Sequence, residues 1–528
     1  MSLRNRLVLP TIALLSLAFL VACGSSSNGG SPPPTGGFTN SDLKGTYVFS
    51  IVGADAGSNV VAMTGSFTAN GSGGSNSITG GAIDVNDSGF TASVTNNPIT
   101  GGTYSVGADG RGEAQLITTT PFGNSITVDF VLNSNAGGMI TWYDGNGSGS
   151  GTLDLQTSTS QVPAGTYVLG LSGAIIGLSG PLPVATAGVL TLDASGNATG
   201  SMDYNNNGAP SALSINSGSS VVVGTTSSSA LFTSGGELIF DVYPIDATHL
   251  KFISTTSAPI LSGDLFSQTS SSFPAGTLVF TMAGLDYGNS DAPLALGGLM
   301  TSDGSSTISN GAEDFNDGGT PDTTPNAFSG TIAATGARFV LTLNNFENGA
   351  DGVPGTFTFA AYPSSGGIEL VEIDGGGVTS GAAYAQSSGA SLASAQGYGM
   401  NLTASNSGGY EEDDIAEFTT TSSSFTGHVD INDQGSTSSH GLSGNYALDS
   451  PATGRGELTS GAFDGVFYAV SNSDLLFLET DSTQLGLGAL QLQNATAAAK
   501  SNQAARHMAV LRMVRGAKAG AKKALKRH

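Results

Sequence analysis

A six-residue pattern, Asp-x-Asn-[Asp/Asn]-x-Gly, occurs four times in this chain and supplies its main candidates for site chemistry. The Asp and the Asn are two residues apart, so in a strand both would lie on the same face. Carboxylate and amide oxygens clustered before a glycine turn are the ligands that a hard cation such as Ca²⁺ binds. The candidate calcium ligands are Asp84, Asn86, Asp203, Asn205, Asp314, Asn316, Asp430 and Asn432.

The first half of the pattern resembles the calcium loop of EF-hand proteins, which has Gly at its sixth position. The second half differs, because residues such as Thr95, Pro325 and Gly441 stand where that loop has a bidentate Glu. The alternative is a turn, since Asp and Asn side chains bond to their own backbone and Gly adopts positive φ. We prefer the turn-forming role, keep calcium as the alternative, and predict no other cofactor.

No catalytic set recurs between the copies. The four repeats hold three histidines, His249, His428 and His440, and none of these is at a metal-ligand spacing. We expect the acidic run 411–414 to be a solvated loop. Two Gly-Arg-Gly-Glu segments, at 110–113 and 454–457, predict turns with a local ion pair. We therefore predict a protein that is not an enzyme.

The elements that must position these residues form a repeat. Three motifs recur in the same order: an opening motif, the Asp-x-Asn pattern, and a closing Gly with Gln five residues later. The opening motif is Gly-x-aromatic or Gly-x-Leu in the first three copies and Gly397-Tyr398 in the fourth. The closing glutamines are Gln156, Gln268, Gln386 and Gln493. The repeats are 38–161, 162–273, 274–390 and 391–493, each the size of a compact domain.

Short β-type runs alternate with Gly-rich turns in each repeat, which predicts an all-β fold of four tandem antiparallel meanders with about eight strands each. A small barrel and a β-sandwich both fit this spacing. The strand number and the Gly-x-aromatic opening, for example Gly45-Thr46-Tyr47, resemble the calycins, the lipocalin and avidin group. That resemblance implies closed barrels, although the tryptophan of the lipocalin opening is missing. We expect the lone Trp142 to be a core residue.

The first 22 residues have the features of an export signal: Arg4 and Arg6, an apolar run, and a small residue before the cleavage point. Leu20-Val21-Ala22-Cys23 resembles the lipobox of bacterial lipoproteins. The resemblance implies that residues 1–22 are removed and that Cys23 is lipidated and anchors the chain to a membrane. Residues 23–37 are a Gly/Ser/Pro tether. By the same analogy the outer membrane is favoured, with the protein periplasmic or surface-facing.

Charge is divided sharply along the chain. All 40 acidic residues, against five Lys and Arg, lie in 38–493, which gives this body a formal charge of −35. The Ala-rich tail 494–528 carries nine Lys and Arg and no acid, and is predicted to be basic and in part helical. Such a body repels nucleic acid, whereas the tail is expected to contact anionic lipid or the acidic body. The single cysteine excludes a disulfide framework.

These features together predict an exported, membrane-anchored lipoprotein with a non-enzymatic binding, adhesion or structural role, acting on an unknown surface ligand, glycan or protein. The first alternative is a carrier that holds a small apolar ligand in each barrel. The second alternative is a hydrolase of glycans or envelope polymers. A filled core would distinguish the leading prediction from the carrier.

Overall fold

The computed structural model describes residues 37–494, with gaps at 178–179, 225–227, 234–235, 269, 290, 347–354 and 451. The predicted signal, Cys23, nearly all of the tether, and the tail after Asn494 lie outside the described residues. Within the described part, no helix has the length and apolar character that a membrane span requires. A short 3₁₀ helix, Asn40–Asp42, precedes the first strand.

The first repeat forms barrel 1. Its strands are β1 (Lys44–Asp55), β2 (Val60–Asn70), β3 (Gly74–Asp87), β4 (Val94–Ile99), β5 (Gly101–Val106), β6 (Arg111–Thr120), β7 (Gly123–Ser134), β8 (Gly137–Asp144) and β9 (Gly147–Leu155). The sheet closes because β1 pairs with both β2 and β9, and β2 also pairs with β3. Both β4 and β5 pair with β3, so two segments here replace the single fourth strand of the other barrels.

The other three repeats form closed barrels of eight strands in sequence order. Barrel 2 consists of β10 (Gly165–Gly177), β11 (Gly180–Leu192), β12 (Asn197–Asn206), β13 (Ala209–Val223), β14 (Ser228–Thr233), β15 (Glu237–Pro244), β16 (His249–Ser254) and β17 (Ile260–Ser267). Barrel 3 consists of β18 (Ala275–Asp286), β19 (Ala292–Asp303), β20 (Thr307–Asp317), β21 (Thr320–Thr335), β22 (Arg338–Phe346), β23 (Gly355–Ser364), β24 (Gly367–Glu372) and β25 (Gly377–Ala385). Barrel 4 consists of β26 (Gly397–Asn406), β27 (Glu411–Thr420), β28 (Ser424–Asp433), β29 (Ser436–Leu448), β30 (Arg455–Ser460), β31 (Asp464–Ala469), β32 (Asp474–Glu479) and β33 (Gln484–Leu492).

The predicted fold class is confirmed: the chain is all-β, with four antiparallel barrels in tandem. Of the two architectures that the spacing allowed, the closed barrel is the one formed. Closure satisfies the backbone groups of the first and last strands, which an open sheet would leave exposed. Closed antiparallel meanders are also the architecture of calycins, so the resemblance is supported at the level of the barrel.

Each strand sorts its side chains between two environments. In β1, Tyr47, Phe49 and Ile51 belong to the interior core, whereas Val48 and Val52 belong to a separate apolar cluster outside the barrel. Alternation along a strand is the reason, because successive side chains point to opposite faces of a sheet. The barrels therefore have an apolar outer surface as well as an apolar interior.

Large side chains fill the barrel interiors. In barrel 3, the ring of Phe346 lies with its centroid 5.0 Å from that of Phe328 and 5.5 Å from that of Phe357. In barrel 1, Trp142 is fully buried, as predicted, with its ring 4.7 Å from that of Phe122. Aromatic rings at these separations are in packing contact.

The apolar outer surfaces pack the barrels against one another. Val48 and Val60 of barrel 1 cluster with Tyr243 and Ile253 of barrel 2. The same faces meet between barrels 2 and 3 and between barrels 3 and 4. Barrel 4 then packs on barrel 1, where Ile415 shares a cluster with Val131 and Met139. Each contact joins the first strands of one barrel to the last strands of the next, and such head-to-tail contacts close here into a ring of four.

Candidate functional site at the barrel interfaces

The Asn of the Asp-x-Asn pattern crosses from each barrel to the next. Asn205 of barrel 2 is fully buried, and its Nδ2 donates to the carbonyls of Glu372 and Gly377 in barrel 3, both at 2.9 Å. These carbonyls flank the last hairpin of barrel 3. The other three copies make the same cross-barrel bonds: Asn86 to Ser254 and Thr256, Asn316 to Glu479, Asp481 and Gln484, and Asn432 to Trp142 and Gly147.

The same Asn also forms a local turn. The backbone N–H of Gly208 donates to Oδ1 of Asn205 at 3.0 Å, and Gly208 has φ +75°, a conformation that favours glycine. The copies at Asn316 and Asn432 bond to Gly319 and Gly435 in the same way. In these three copies one amide closes a turn with its oxygen and bridges two barrels with its nitrogen.

The Asp of each pattern receives donors from the next barrel. Asp314 of barrel 3 accepts from Nε and Nη2 of Arg455 in barrel 4, at 2.7 and 2.8 Å, and from the hydroxyl of Tyr468. Asp203 accepts from Arg338 and Tyr362. At the remaining two interfaces, Asp84 accepts from the Tyr243 hydroxyl at 2.8 Å and Asp430 from Arg111 Nη1 at 3.0 Å.

These contacts place each predicted calcium ligand at one of four separate interfaces. The Asp and Asn of one copy share a face of their strand, as expected, while Val85 and Phe315 face the cores. A cation at any copy would have to compete with the Tyr, Arg and backbone groups already bonded there. Calcium binding at the pattern stays a prediction.

Three arginines bring positive charge to the interfaces, and two of them, Arg111 and Arg455, belong to the Gly-Arg-Gly-Glu segments. Arg111, Arg338 and Arg455 are the first residues of equivalent strands, where barrel 2 has Ser228. The expected local pairs exist, for example Arg111 Nε to Asp109 Oδ2 at 3.2 Å. However, each Arg also pairs with the pattern Asp of the preceding barrel, which spacing along the chain did not indicate.

A fourth cation lies between barrels 1 and 2. Lys251 is fully buried, with its Nζ 3.3 Å from Asp154 of barrel 1 and 3.5 Å from Asp264 of barrel 2. Its Nζ also donates to the Thr152 hydroxyl at 2.7 Å. Four of the five Lys and Arg of the body (all but Lys44) are thus placed between barrels.

The closing glutamines complete the pattern of cross-barrel bonds. Gln268 Nε2 of barrel 2 donates to the carbonyl of Pro363 in barrel 3 at 3.0 Å. The equivalent bonds run from Gln156 to Pro244, from Gln386 to Ala469, and from Gln493 back to Leu132 of barrel 1. The Asp-x-Asn pattern and the closing Gln therefore occupy equivalent positions around the ring.

The acidic run 411–414 was expected to be a solvated loop, and this expectation is wrong. The four residues open strand β27. Asp413 lies on the outer face, where its Oδ2 accepts from the Ser148 hydroxyl of barrel 1 at 2.7 Å. Glu412 and Asp414 alternate with it and point into barrel 4. Burial, and then the charges of Glu412 and Asp413, raise the pKa of Asp414 well above its ordinary value.

The interface between barrels 4 and 1, here called the seam, differs from the other three. Ligand atoms of Asp109, Glu417 and His428 lie within 4.8 Å of one another. Burial, and then the charge of Asp109, raise the pKa of Glu417 to about 8. Burial, and then the charge of Asp430, raise the pKa of Asp129 to about 8 as well. Burial, and then Arg111, lower the pKa of His428, which favours the neutral form of its imidazole.

Barrel 2 has no arginine at the position equivalent to Arg111, Arg338 and Arg455, and this affects the pattern Asp of barrel 1. With Ser228 in place of Arg, Asp84 faces Tyr243 and the carboxyl of Asp241. Burial, with Asp241 as a further cause, raises the pKa of Asp84 to about 7. At the other three interfaces a guanidinium lies beside the pattern Asp, whereas at this interface the buried cation, Lys251, lies beside Asp154 and Asp264 instead.

No family model and no curated protein sequence matches the chain. Among solved structures, kievitone hydratase from Nectria haematococca matches 64% of this chain and 92% of its own, at 10% identity and a TM-score of 0.17. A DUF3598-family protein of unknown function from Nostoc punctiforme matches 42% of this chain and 94% of its own, at 13% identity and a TM-score of 0.13. Likenesses at these TM-scores say nothing about the function of this chain.

Proposed function

We propose that this protein is an exported, lipid-anchored, non-enzymatic protein that acts as a rigid binding or structural scaffold at the cell envelope. Cys23, the last residue of the lipobox Leu20-Val21-Ala22-Cys23, would carry the lipid. Residues 23–37 would link the lipid to the ring, with a contour of at most about 50 Å. The strongly acidic body would face partners that are neutral or cationic rather than nucleic acid.

The main support for this proposal is that the recurring residues bond to the neighbouring barrel. The Asn, Asp and Gln that repeat in every barrel bond to the neighbouring barrel, as Asn205, Asp203 and Gln268 do to barrel 3. A repeated catalytic site would instead require recurring groups with free access to a substrate. Repetition in this chain supports a single large body with fixed spacing, which suits a scaffold.

The filled cores favour the scaffold over a carrier that uses barrel cavities. In barrel 2, Phe232, Phe240 and Phe252 occupy the interior with ring centroids 5.7 to 6.3 Å apart. The same holds for barrel 3, where Phe280, Phe328 and Phe346 pack together. A small ligand would have to displace these rings.

One cavity favours a second candidate function, the binding of a small apolar ligand. A cavity of about 420 Å³ lies where the segment before barrel 3 meets its last hairpin, lined by Phe273, Pro274, Ile368, Tyr384 and Val470 among others. Its volume is within the range of small-molecule sites. A ligand there would sit beside the barrel 3 core rather than inside a barrel.

The anchor is tested by labelling cells with palmitate and separating their membranes. The wild-type protein should incorporate the label and sediment with membranes, whereas Cys23→Ser should do neither. If Cys23→Ser is cleaved from its signal and still sediments with membranes, the lipid anchor is wrong.

The scaffold and the carrier are distinguished by native mass spectrometry of the released Cys23→Ser protein. A scaffold should have the mass of the bare chain. A stoichiometric apolar ligand that is lost when Ile368→Trp fills the cavity would establish the carrier and refute the scaffold. Ala360→Ser, at the barrel 2–barrel 3 interface rather than in the cavity, is the control.

A further inference from the structure

Three possible metal ligands meet at the seam, from both barrels. Glu417 in β27 and His428 in β28 are direct cross-strand partners of barrel 4, with Nδ1 of His428 3.1 Å from Oε1 of Glu417. Asp109 comes from barrel 1, just before β6. One ligand atom from each of the three lies within 4.8 Å of the others, close enough for one ion to contact all three after small side-chain movements.

A buried carboxylate oxygen provides a second, independent observation. The Glu417 side chain is 1% exposed, and its Oε2 accepts no hydrogen bond from the residues that the structure describes. A buried polar atom without a partner destabilises the folded state. A bound cation would give this oxygen a partner.

The charges around Glu417 point in the same direction. Five carboxyl groups lie near one another around this part of the seam: Asp109, Glu113, Asp129, Glu417 and Asp430. Arg111 is the cation opposite them, and it already contacts Asp109 at 3.2 Å and Asp430 at 3.0 Å. An added cation would therefore meet more carboxyl groups than cationic groups at this point.

The two barrel 4 ligands are specific to this interface. The positions equivalent to Glu417 in barrels 1, 2 and 3, read from the strand pairing, are Ser66, Val189 and Leu299. The positions equivalent to His428 are Ala82, Ser201 and Ala312. None of these six residues offers an imidazole or a carboxylate, so the pair is not a general requirement of the fold.

We propose that the seam binds one divalent transition-metal ion of the Zn²⁺ class through Asp109, Glu417 and His428. A neutral imidazole combined with carboxylates is the ligand set of Zn²⁺ and its neighbours, whereas Ca²⁺ takes oxygen ligands alone. The ion would join barrel 4 to barrel 1 at the point where the ring closes. Metal binding and ring closure would then be linked.

The test measures Zn²⁺ binding to the whole mature chain by titration calorimetry and repeats it with Co²⁺ by visible absorption. His428→Ala should weaken the tightest Zn²⁺ site at least tenfold and remove the Co²⁺ absorption of that site. Zn²⁺ should raise the melting temperature of the wild type but not of His428→Ala. His507 and His528 of the tail are present in both proteins, so the difference reports the seam alone.

The matched control is His440→Ala. His440 pairs with Val429, next to His428 but on the other face of the sheet, and its loss should leave Zn²⁺ affinity unchanged. Asp109→Asn, in a partly exposed turn, replaces His428→Ala if that variant does not fold. Equal Zn²⁺ affinity in the wild type and in the folded seam variant would overturn the proposal, and so would Ca²⁺ binding at the seam as tightly as Zn²⁺.

Discussion

Replacing Asp414 with Leu should stabilise barrel 4. The carboxyl of Asp414 is 2% exposed, and neither of its oxygens accepts a hydrogen bond from the described residues. The equivalent positions in barrels 1, 2 and 3, found from the pairing of the first two strands, are Met63, Thr186 and Leu296. The fold therefore accepts a larger apolar side chain at this position.

The expected gain at pH 7 is about 2–4 kcal/mol. Burying a Leu side chain contributes about 1.5–3 kcal/mol, and removing a buried polar group without partners contributes about 1–3 kcal/mol. Strain from the larger side chain reduces the sum, by about 1–3 kcal/mol if neighbours must shift. Urea denaturation of both proteins, followed by hydrogen exchange of the β26–β33 peptides, measures the difference within barrel 4.

The effect should also depend on pH. Because the folded chain raises the pKa of Asp414 well above its ordinary value, the folded state holds this proton more tightly than the unfolded state. Stability from this group is complete below the unfolded pKa of about 4 and falls by about 1.4 kcal/mol per pH unit as pH rises towards the folded pKa. The advantage of Asp414→Leu should therefore grow between pH 5 and pH 7.

The neighbouring residue is the control. Asp413→Leu should destabilise the ring, since the Asp413 carboxylate accepts from Ser148 of barrel 1 and from Thr403 at 3.1 Å. If Asp414→Leu is less stable than the wild type at pH 7, or if its advantage does not change with pH, then Asp414 is not the buried, unpartnered acid described above.

Two further predictions concern the ring contacts. Asn205→Ala should lower the free energy of unfolding in urea by about 2–4 kcal/mol, because it leaves two buried carbonyls of barrel 3 without donors. Asn206→Ala, on the other face of the strand, should lower it much less. Equal losses for the two variants would contradict the bridging role of Asn205. Arg455→Met should lower the free energy of unfolding by about 3–5 kcal/mol in the same assay, because it leaves the fully buried Asp314 without its cation. As a control, Lys44→Met, at an exposed position, should change the free energy of unfolding by no more than about 0.5 kcal/mol. A small loss for Arg455→Met would mean that Tyr468 alone satisfies Asp314.

Local patterns in the sequence predicted much of the fold. Alternation in segments such as β1, where Tyr47 and Phe49 alternate with Val48, indicates strands with two faces. Glycine turns at a spacing of about 8–12 residues indicate a meander. The face that carries Asp314 and Asn316 and the burial of Trp142 followed from the same local rules.

The partners of these residues could not be predicted in that way. Asp314 pairs with Arg455, and Asn432 with Trp142, which are separated by more than a hundred residues. The acidic run 411–414 was misassigned because four consecutive acids usually indicate solvent. Here one face of the strand buries Glu411 and Asp413, and the other buries Asp414 and half-buries Glu412. The cluster of Asp109, Glu417 and His428 could not be found from spacing along the chain, because Asp109 comes from a different barrel than the other two.

The sequence by itself determined the repeat, the strands and the turns, because these depend on alternation and on glycine, which act over a few residues. Only the tertiary structure decided that the apolar outer faces pack head to tail and that Asn432 and Gln493 return to barrel 1. Ring closure depends on the angle between successive barrels, which many packed side chains set together. No short stretch of sequence encodes that angle, and so the seam and its cluster of ligands appear only when barrel 4 meets barrel 1.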